Sequence, residues 1–259
     1  MNRCFKFSIV LLVLFIISAR NLFSQIIWLK ETPGSAAADL YSIAVGDGKN
    51  DGINRIYVGD SATQVYEFSY TSGGGWTRTL LPAAGGRIYS IIIGPGRNDG
   101  INRVYAAGSD GGLYEFSFSL NTWSLLKIAQ VSISTVYNIG IGPGRNDNVT
   151  RLYAASDDGN IYEFTYDSPN NRWDKIVINA NSGIINQLRC LAVGVARGDG
   201  LIRIYAGVLA SGVDVYEFAY SSASVAWTKK QVGSTNGSVL SLAIGPGRND
   251  GIPHLYAGT

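Results

Sequence analysis

An arginine and a glutamate recur as a pair four times along the chain, and both are side chains that can bind a ligand. The interval between them is 12 residues in three repeats and 14 in the fourth. The pairs are Arg55 with Glu67, Arg103 with Glu115, Arg151 with Glu163, and Arg203 with Glu217. Two interpretations are open. The pair can bind sugar hydroxyls beside a stacking aromatic ring, or it can form a half-buried ion pair that braces the fold.

The sequence offers few residues for catalysis. His254 is the only histidine, so neither a Ser–His triad nor a histidine zinc site can be assembled. Hydrolysis by a pair of carboxylates is the remaining option, but no unusual acidic cluster interrupts the repeat. We therefore expect a non-catalytic protein without a cofactor or a metal site.

The arginine–glutamate pairs belong to a longer repeat. The glycine-rich string IIGPGRNDGINRVY at Ile92–Tyr105 occurs five times in related forms. Its first glycines are Gly46, Gly94, Gly142, Gly194 and Gly245, which are 48, 48, 52 and 51 residues apart. A period near 50 residues indicates an array of repeated supersecondary units.

Each repeat contains four short segments with strand signals. The first alternates in side-chain size, as at Tyr89, Ile91 and Ile93, and the second begins at the arginine after an Asp-Gly turn. The third contains Tyr-Glu-Phe, and the fourth begins at a tryptophan. Four antiparallel strands in a repeat of this length are typical of one β-propeller blade. The sequence therefore predicts an all-β protein, a β-propeller of four-stranded antiparallel blades.

The repeat count predicts how the ring closes. Five glycine loops and five tryptophans accompany only four Tyr-Glu-Phe strands, and the fifth tryptophan, Trp28, precedes Trp76 by 48 residues. We therefore expect residues 25–35 to supply the fourth strand of a fifth blade shared between the termini, with its third strand beyond Thr259. If further repeats follow, the ring has about six to eight blades. The predicted repeats cover residues 40–86, 87–134, 135–186, 187–237 and 238–259.

The first 24 residues have the pattern of a secretory signal peptide. Arg3 and Lys6 precede an apolar run from Ser8 to Ala19, and the small residue Ser24 follows. An uncleaved anchor is the alternative. Cleavage would leave Cys190 as the only cysteine and, by removing three basic residues, would change the net charge from +2 to about −1. A nearly neutral chain lacks the excess of basic residues that binds nucleic acid. We also expect an exported protein without a later membrane span.

The run Arg-Val-Tyr, a Gly-containing turn, an aliphatic-x-Glu and then Trp resembles the blade of fucose-binding propeller lectins. In that family an Arg, a Glu and a Trp bind one sugar. By position, the resemblance implicates Arg55, Glu67 and Trp76; Arg103, Glu115 and Trp123; Arg151, Glu163 and Trp173; and Arg203, Glu217 and Trp227. The Tyr-Glu-Phe string departs from the family pattern. A five-bladed ring is instead similar to the tachylectin type, whose sugar-site motif is absent.

The glycine loop also resembles the calcium loop of integrin-type FG-GAP repeats. Asp47 and Asp51 stand at places that suit oxygen ligands, but Lys49 and Arg55 occupy the other two. The later repeats have Pro or Val at the first ligand place. We therefore expect no calcium, and we predict that the loop aspartates form turns and pair with nearby arginines.

Two functions from different classes remain open. The first is an exported propeller that recognises carbohydrate at repeated blade sites, where several weak sites act together. The second is a structural or protein-interaction module of a secreted or surface protein, without a sugar site. The tryptophans distinguish them, because a lectin would expose them at the blade junctions and a scaffold would bury them.

Overall fold

The computed structural model describes residues 30–179, 187–209 and 213–259. Contacts divide the chain into two units, Met1–Thr32 and Pro33–Thr259. Of the first unit only residues 30–32 are described. The predicted signal peptide lies outside the described residues, as do Trp28 and the rest of residues 25–29 of the predicted closing strand. The described part of that strand, residues 30–35, has no strand structure.

The described chain contains eighteen strands. Blade 1 consists of β1 (Leu40–Gly46), β2 (Arg55–Asp60), β3 (Val65–Thr71) and β4 (Gly75–Leu80). Blade 2 consists of β5 (Ile88–Gly94), β6 (Arg103–Gly108), β7 (Gly112–Ser119) and β8 (Thr122–Gln130). Blade 3 consists of β9 (Val136–Gly142), β10 (Arg151–Ser156), β11 (Ile161–Asp167) and β12 (Arg172–Val177). Blade 4 consists of β13 (Leu188–Gly194), β14 (Arg203–Val208), β15 (Val213–Ser221) and β16 (Ala226–Thr235), and the fifth hairpin consists of β17 (Ser241–Gly245) and β18 (His254–Gly258).

Each of the four blades is an antiparallel sheet whose strands follow chain order, and the fifth hairpin is a two-stranded sheet of the same kind. The fold prediction is therefore confirmed: the chain is all-β, a β-propeller of four-stranded antiparallel blades. Among the described residues there is no helix of the length and hydropathy needed to cross a bilayer.

The glycine loops join the first two strands of every blade and need left-handed backbone conformations. In the second loop Asn98 has φ 60° and Gly100 has φ 74°. Asparagine and glycine are the residues that adopt this conformation at least cost. The carboxylate of Asp99 accepts a hydrogen bond from the N–H of Ile101 at 3.0 Å, which completes the turn.

The apolar core lies between consecutive blades. Tyr57 of blade 1 packs with Val104 and Ala106 of blade 2, and clusters of the same kind join blades 2 and 3 and blades 3 and 4. A Cβ at Gly59 would lie 2.3 Å from Ile88 of the next blade, so this close approach requires a glycine. The first strands of successive blades are neighbours and bring the blades together at their inner edges.

The first strands depart from simple alternation at one place. A register irregularity follows Ile88 on β5, and similar ones occur on β1, β9 and β13. Tyr89 lies there and packs against Tyr41 and Tyr137 of the neighbouring blades rather than sharing the buried environment of Ile91. The extra residue at the irregularity interrupts the two-residue period of the strand. The alternation of large and small side chains in the sequence therefore does not predict that Tyr41, Tyr89 and Tyr137 contact one another.

Candidate functional site at the blade junctions

The arginine that opens each second strand is held by its own glycine loop. Arg103 is only 9% exposed, and its guanidinium donates hydrogen bonds to the two carboxylate oxygens of Asp99 at 2.9 and 2.7 Å and to the carbonyl of Ile101 at 3.1 Å. The same pairing occurs between Arg55 and Asp51, between Arg151 and Asp147, and between Arg203 and Asp199. The prediction that the loop aspartates form turns and pair with nearby arginines is confirmed for these four; Asp250 of the fifth loop instead lies 2.8 Å from Nε2 of His254.

These ion pairs lower the pKa values of the aspartates. The hydrogen bond from the arginine brings the pKa of Asp51 and of Asp199 to about 2, from an ordinary value of 3.8. The pKa values of Asp99 and Asp147 are lowered for the same reason. The carboxylates of the loops are therefore charged throughout the neutral range.

The glutamate of each third strand is buried and already paired with cations of the chain. Glu115 is 1% exposed and accepts two hydrogen bonds from Arg97, at 2.9 and 2.6 Å, while Nε of Arg103 lies 3.6 Å away. Lys49 lies 2.7 Å from Glu67, and Arg145 pairs with Glu163. We call Lys49, Arg97, Arg145 and Arg197 the loop cations. The predicted contact of each Arg with its Glu is confirmed at 3.6 to 3.8 Å. The loop cations, whose pairing with the glutamates the sequence did not indicate, make the closer contact.

A buried tyrosine faces each glutamate. Tyr105 lies opposite Glu115 in the ladder and is fully buried, and burial raises its pKa well above the usual value. Burial likewise raises the pKa of Tyr205, to about 12. These phenols stay protonated at neutral pH and cannot act as bases. A Cβ at Gly96 would lie 2.7 Å from the hydroxyl of Tyr105, which explains the second glycine of the loop.

All four described tryptophans pack against an aromatic ring of their own third strand, and three of them also contact a tyrosine of the preceding blade. Trp123 of blade 2 meets the ring of Tyr57 of blade 1 edge-on, with ring centroids 5.9 Å apart. The equivalent contacts join Trp173 with Tyr105 at 6.1 Å and Trp227 with Tyr153 at 6.2 Å. Trp76 packs against Tyr70 of its own blade. The structure therefore groups the glutamate of one blade with the tryptophan of the next, which differs from the assignment by sequence position, and the tryptophans are half-buried.

Three of the four loop cations also stack on aromatic rings of the following blade. The guanidinium of Arg97 lies 4.6 Å from the ring centroid of Tyr166, and Nη1 donates a hydrogen bond to its hydroxyl at 3.1 Å. Arg145 lies 4.7 Å from the ring of Tyr220, and Lys49 lies 4.5 Å from that of Phe118. At each of these three junctions, between blades 1 and 2, 2 and 3, and 3 and 4, a cation thus lies between a buried carboxylate and an aromatic face. This arrangement stabilises a desolvated charge.

An asparagine in each of the first three loops forms a second link between blades. The side chain of Asn98 accepts a hydrogen bond from the N–H of Thr150 at 2.7 Å and donates one to its carbonyl at 3.0 Å. Asn50 binds Asn102 in the same way, and Asn146 binds Ile202. We call this pair of hydrogen bonds the asparagine clamp. It aligns the loops side by side along one end of the blades.

Two cavities lie at junctions. The first, of about 570 Å³, is at the junction of blades 1 and 2 and includes Lys49, Phe118, Asn121 and Trp123 in its lining. The second, of about 280 Å³, lies between blade 4 and the fifth hairpin and includes Arg197, Tyr205, Glu217, Leu255 and Ala257.

The first glycine loop uses its acidic side chains internally. The carboxylate of Asp47 accepts hydrogen bonds from the N–H groups of Asp51 and Gly52 at 3.2 and 2.8 Å. In the described ranges no cluster of three or more His, Cys, Asp or Glu side chains is placed to hold a metal ion. No family model matches the sequence, and no curated protein matches it either.

Proposed function

We propose that this chain is an exported, non-catalytic propeller that recognises protein partners. The observation that supports the proposal best is the internal use of the recurring Arg and Glu. Each glutamate is nearly inaccessible and paired with a loop cation, and each arginine is paired with a loop aspartate. A ligand would have to displace a buried ion pair to reach them, which costs more than a typical polar contact returns. These ion pairs lie within single blades, so the recurring Arg and Glu brace the blade itself, and a partner is recognised by the outer surface instead.

The loops present a repeated apolar surface for such a partner. An aliphatic residue follows the Asn-Asp-Gly turns of the first, second and fifth loops and the Gly-Asp-Gly turn of the fourth loop. These four side chains are 44 to 50% exposed: Ile53, Ile101, Leu201 and Ile252. The asparagine clamp holds the loops of blades 1 to 4 next to one another. Exposed aliphatic side chains in a row, rimmed by polar residues, are typical of protein interaction surfaces. We call these four residues the loop-tip surface.

Selection of peptides displayed on phage against the full chain tests the proposal. Enriched peptides are expected to bind an Ile101→Ser/Leu201→Ser variant at least about tenfold more weakly than the parent, since two apolar contacts are lost. Ile133→Ser is the matched control, because Ile133 is fully exposed in the connection between β8 and β9, where the N–H of Val131 donates to the carbonyl of Gly111 in the β6–β7 turn, at the other end of the blade from the glycine loops. If no peptide is enriched, or if all enriched peptides bind both variants equally, the proposal is wrong.

Carbohydrate recognition is the second candidate, favoured by the cavity at the junction of blades 1 and 2. There Trp123 and Phe118 offer aromatic surface beside the polar side chains of Asn121 and Thr122. A glycan array identifies any sugar that binds. Asn121→Gly, which retains the positive φ of 63°, is then expected to weaken binding, whereas Asn249→Gly at φ 55° is not. An array without a reproducible signal would exclude this candidate.

A further inference from the structure

A row of aromatic and cationic side chains crosses the beginnings of the first strands. The rings of Tyr41, Tyr89 and Tyr137, on β1, β5 and β9, are neighbours, with centroids 5.4 and 5.3 Å apart. In β13 the corresponding residue is Arg189, whose guanidinium carbon lies 3.7 Å from the ring centroid of Tyr137. Arg87, just before β5, lies 5.3 Å from the ring of Tyr41 and 5.9 Å from that of Tyr89. We call these five side chains the tyrosine–arginine row.

The row lies at the opposite end of the blades from the glycine loops. The N–H of Arg87 donates a hydrogen bond to the hydroxyl of Ser109 at 3.0 Å, and the N–H of Ser109 donates one to the carbonyl of Arg87 at 2.9 Å. Ser109 belongs to the turn between β6 and β7, whereas the second glycine loop precedes β6. The row is therefore a different surface from the loop-tip surface.

The two guanidiniums of the row have only neutral hydrogen-bond partners among the described residues. Nη1 of Arg87 donates to the hydroxyl of Tyr89 at 3.2 Å, and Nη2 of Arg189 donates to the amide oxygen of Gln187 at 3.1 Å. The pKa of Arg87 is raised above its ordinary value, and the hydrogen bond with Tyr89 contributes more to this than the charge of Asp39. Nε of Arg189 is shielded from solvent and has no hydrogen-bond partner in the described ranges. In contrast to the arginines of the second strands, these two are not bound by a carboxylate of the described chain.

The tyrosine rings orient these guanidiniums and leave most of their donors available. A guanidinium has five N–H groups around its rim, so a ring against its face does not use them. Its planar fork matches a carboxylate, which it can bind through two parallel hydrogen bonds. The row is thus prepared to bind carboxylates.

Hydrogen bonds between the first strands fix the backbone that carries the row. The N–H of Ile139 donates to the hydroxyl of Ser90 at 3.1 Å, and the N–H of Leu191 donates to the side-chain oxygen of Asn138 at 3.1 Å. These bonds join β5 to β9 and β9 to β13. Because the base of the row is already ordered, little conformational freedom is lost when a partner binds there.

We propose that the tyrosine–arginine row is a docking surface for an extended acidic segment of a protein partner. Tyrosine and arginine are among the residue types that dominate the binding energy of protein interfaces. The two guanidiniums without a carboxylate select an acidic partner by charge complementarity. Arg87 lies at the Tyr89 end of the row and Arg189 at the Tyr137 end, so each binds its own Asp or Glu side chain of the segment. This surface is additional to the loop-tip surface and does not depend on it.

The probe for this inference is a fluorescein-labelled oligoglutamate peptide, titrated into the full chain at about 0.15 M ionic strength while anisotropy is measured. We expect saturable one-to-one binding. Arg87→Gln and Arg189→Gln are each expected to bind about tenfold more weakly, because each loses a charge-assisted pair of hydrogen bonds. Lys230→Gln is the matched control, because it removes one exposed positive charge from β16, outside the row, and it is expected to bind like the parent.

Two further variants separate the orientation of the guanidiniums from their charge. Arg87→Lys keeps the positive charge but lacks the planar fork, so it is expected to bind nearly as weakly as Arg87→Gln. Tyr137→Leu leaves the charge unchanged but removes the ring against which Arg189 lies, and about threefold weaker binding is expected.

Absence of saturable binding, equal binding of an oligolysine peptide, or equal weakening by Arg87→Gln and Lys230→Gln would overturn the inference. Full affinity of both Arg87→Lys and Tyr137→Leu would also overturn it, since binding would then need only positive charge. The loop-tip variant Ile101→Ser/Leu201→Ser is expected to bind oligoglutamate like the parent. Either proposal can therefore fail while the other stands.

Discussion

At the scale of single residues, the protein is organised around buried charges that are fully partnered. Glu115 lies between Arg97 and Arg103, and Arg103 in turn is bound by Asp99. Such a network contributes little net stability relative to an apolar core, but the removal of one member leaves an uncompensated buried charge. The loss of a partner is therefore the informative experiment.

Glu115→Gln is expected to lower the free energy of unfolding by about 3 kcal/mol, because two arginines lose their buried counter-charge. Urea unfolding followed by circular dichroism measures this change. Asp174→Asn, which removes an exposed partner of Arg172, is the control and is expected to cost about 1 kcal/mol or less. Equal effects of the two substitutions would contradict a structural role for the buried glutamates.

Acid is expected to destabilise the fold through the loop aspartates. Their folded pKa values are lowered, to about 2 for Asp51 and Asp199, so between about pH 2 and pH 4 the unfolded chain binds more protons than the folded chain. Their contribution to stability is therefore complete above about pH 4 and is lost as pH falls towards 2. Urea midpoints measured from pH 2 to pH 5 should show this slope, and it should be shallower in Asp99→Asn.

At the scale of elements, the loop between the first two strands has two functions. It turns the chain, and its asparagine clamps the next blade. The backbone requires a residue that tolerates a positive φ, and the clamp requires an amide that both donates and accepts. Asparagine is the residue type that meets both requirements, and it occurs at Asn50, Asn98 and Asn146, where a following loop offers a backbone N–H.

Asn98→Gly is expected to lower the free energy of unfolding by about 1–2 kcal/mol more than Asn249→Gly, measured by the same urea assay. Both positions have a positive φ, at 60° and 55°, so glycine fits the backbone at each. Only Asn98 binds a following blade in the described chain. Similar losses at the two sites would mean that the clamp contributes nothing measurable.

At the scale of the whole molecule, the blades form a series in which each core is shared by two neighbours. Stability in such an arrangement depends on the contacts between adjacent units. The two outer members of the described series carry uncovered apolar side chains. Ile43 on β1 is 66% exposed, while its counterpart Ile91 is buried, and Tyr256 on β18 is 38% exposed, while its counterpart Tyr105 is fully buried. The fifth hairpin is the less protected of the two, because its junction with blade 4 also lacks the clamp and the aromatic stack.

Amide hydrogen exchange followed by mass spectrometry is expected to be faster in β17 and β18 than in β9 and β10, because few contacts hold the fifth hairpin. Uniform protection across all five sheets would show that the fourth junction is as stable as the others.

The sequence by itself determined the units of this fold. Period-two alternation, Asp-Gly turns and the 50-residue repeat depend on neighbours in the chain, and they located the four strands of each blade. The pairing of Arg103 with Asp99 was also predictable, because four residues across a tight turn leave few other partners.

Only the tertiary structure decided which repeat supplies each partner of a site. The repeats are nearly identical, so the residues next to Trp123 in the sequence do not indicate whether its ring also contacts the preceding blade. In the structure it meets the ring of Tyr57 of that blade. The same holds for Arg97 on Tyr166, and for the asparagine clamp across 52 residues. Local patterns follow from the covalent neighbourhood, whereas contacts between blades arise from burial of surfaces that only meet once the blades have packed together.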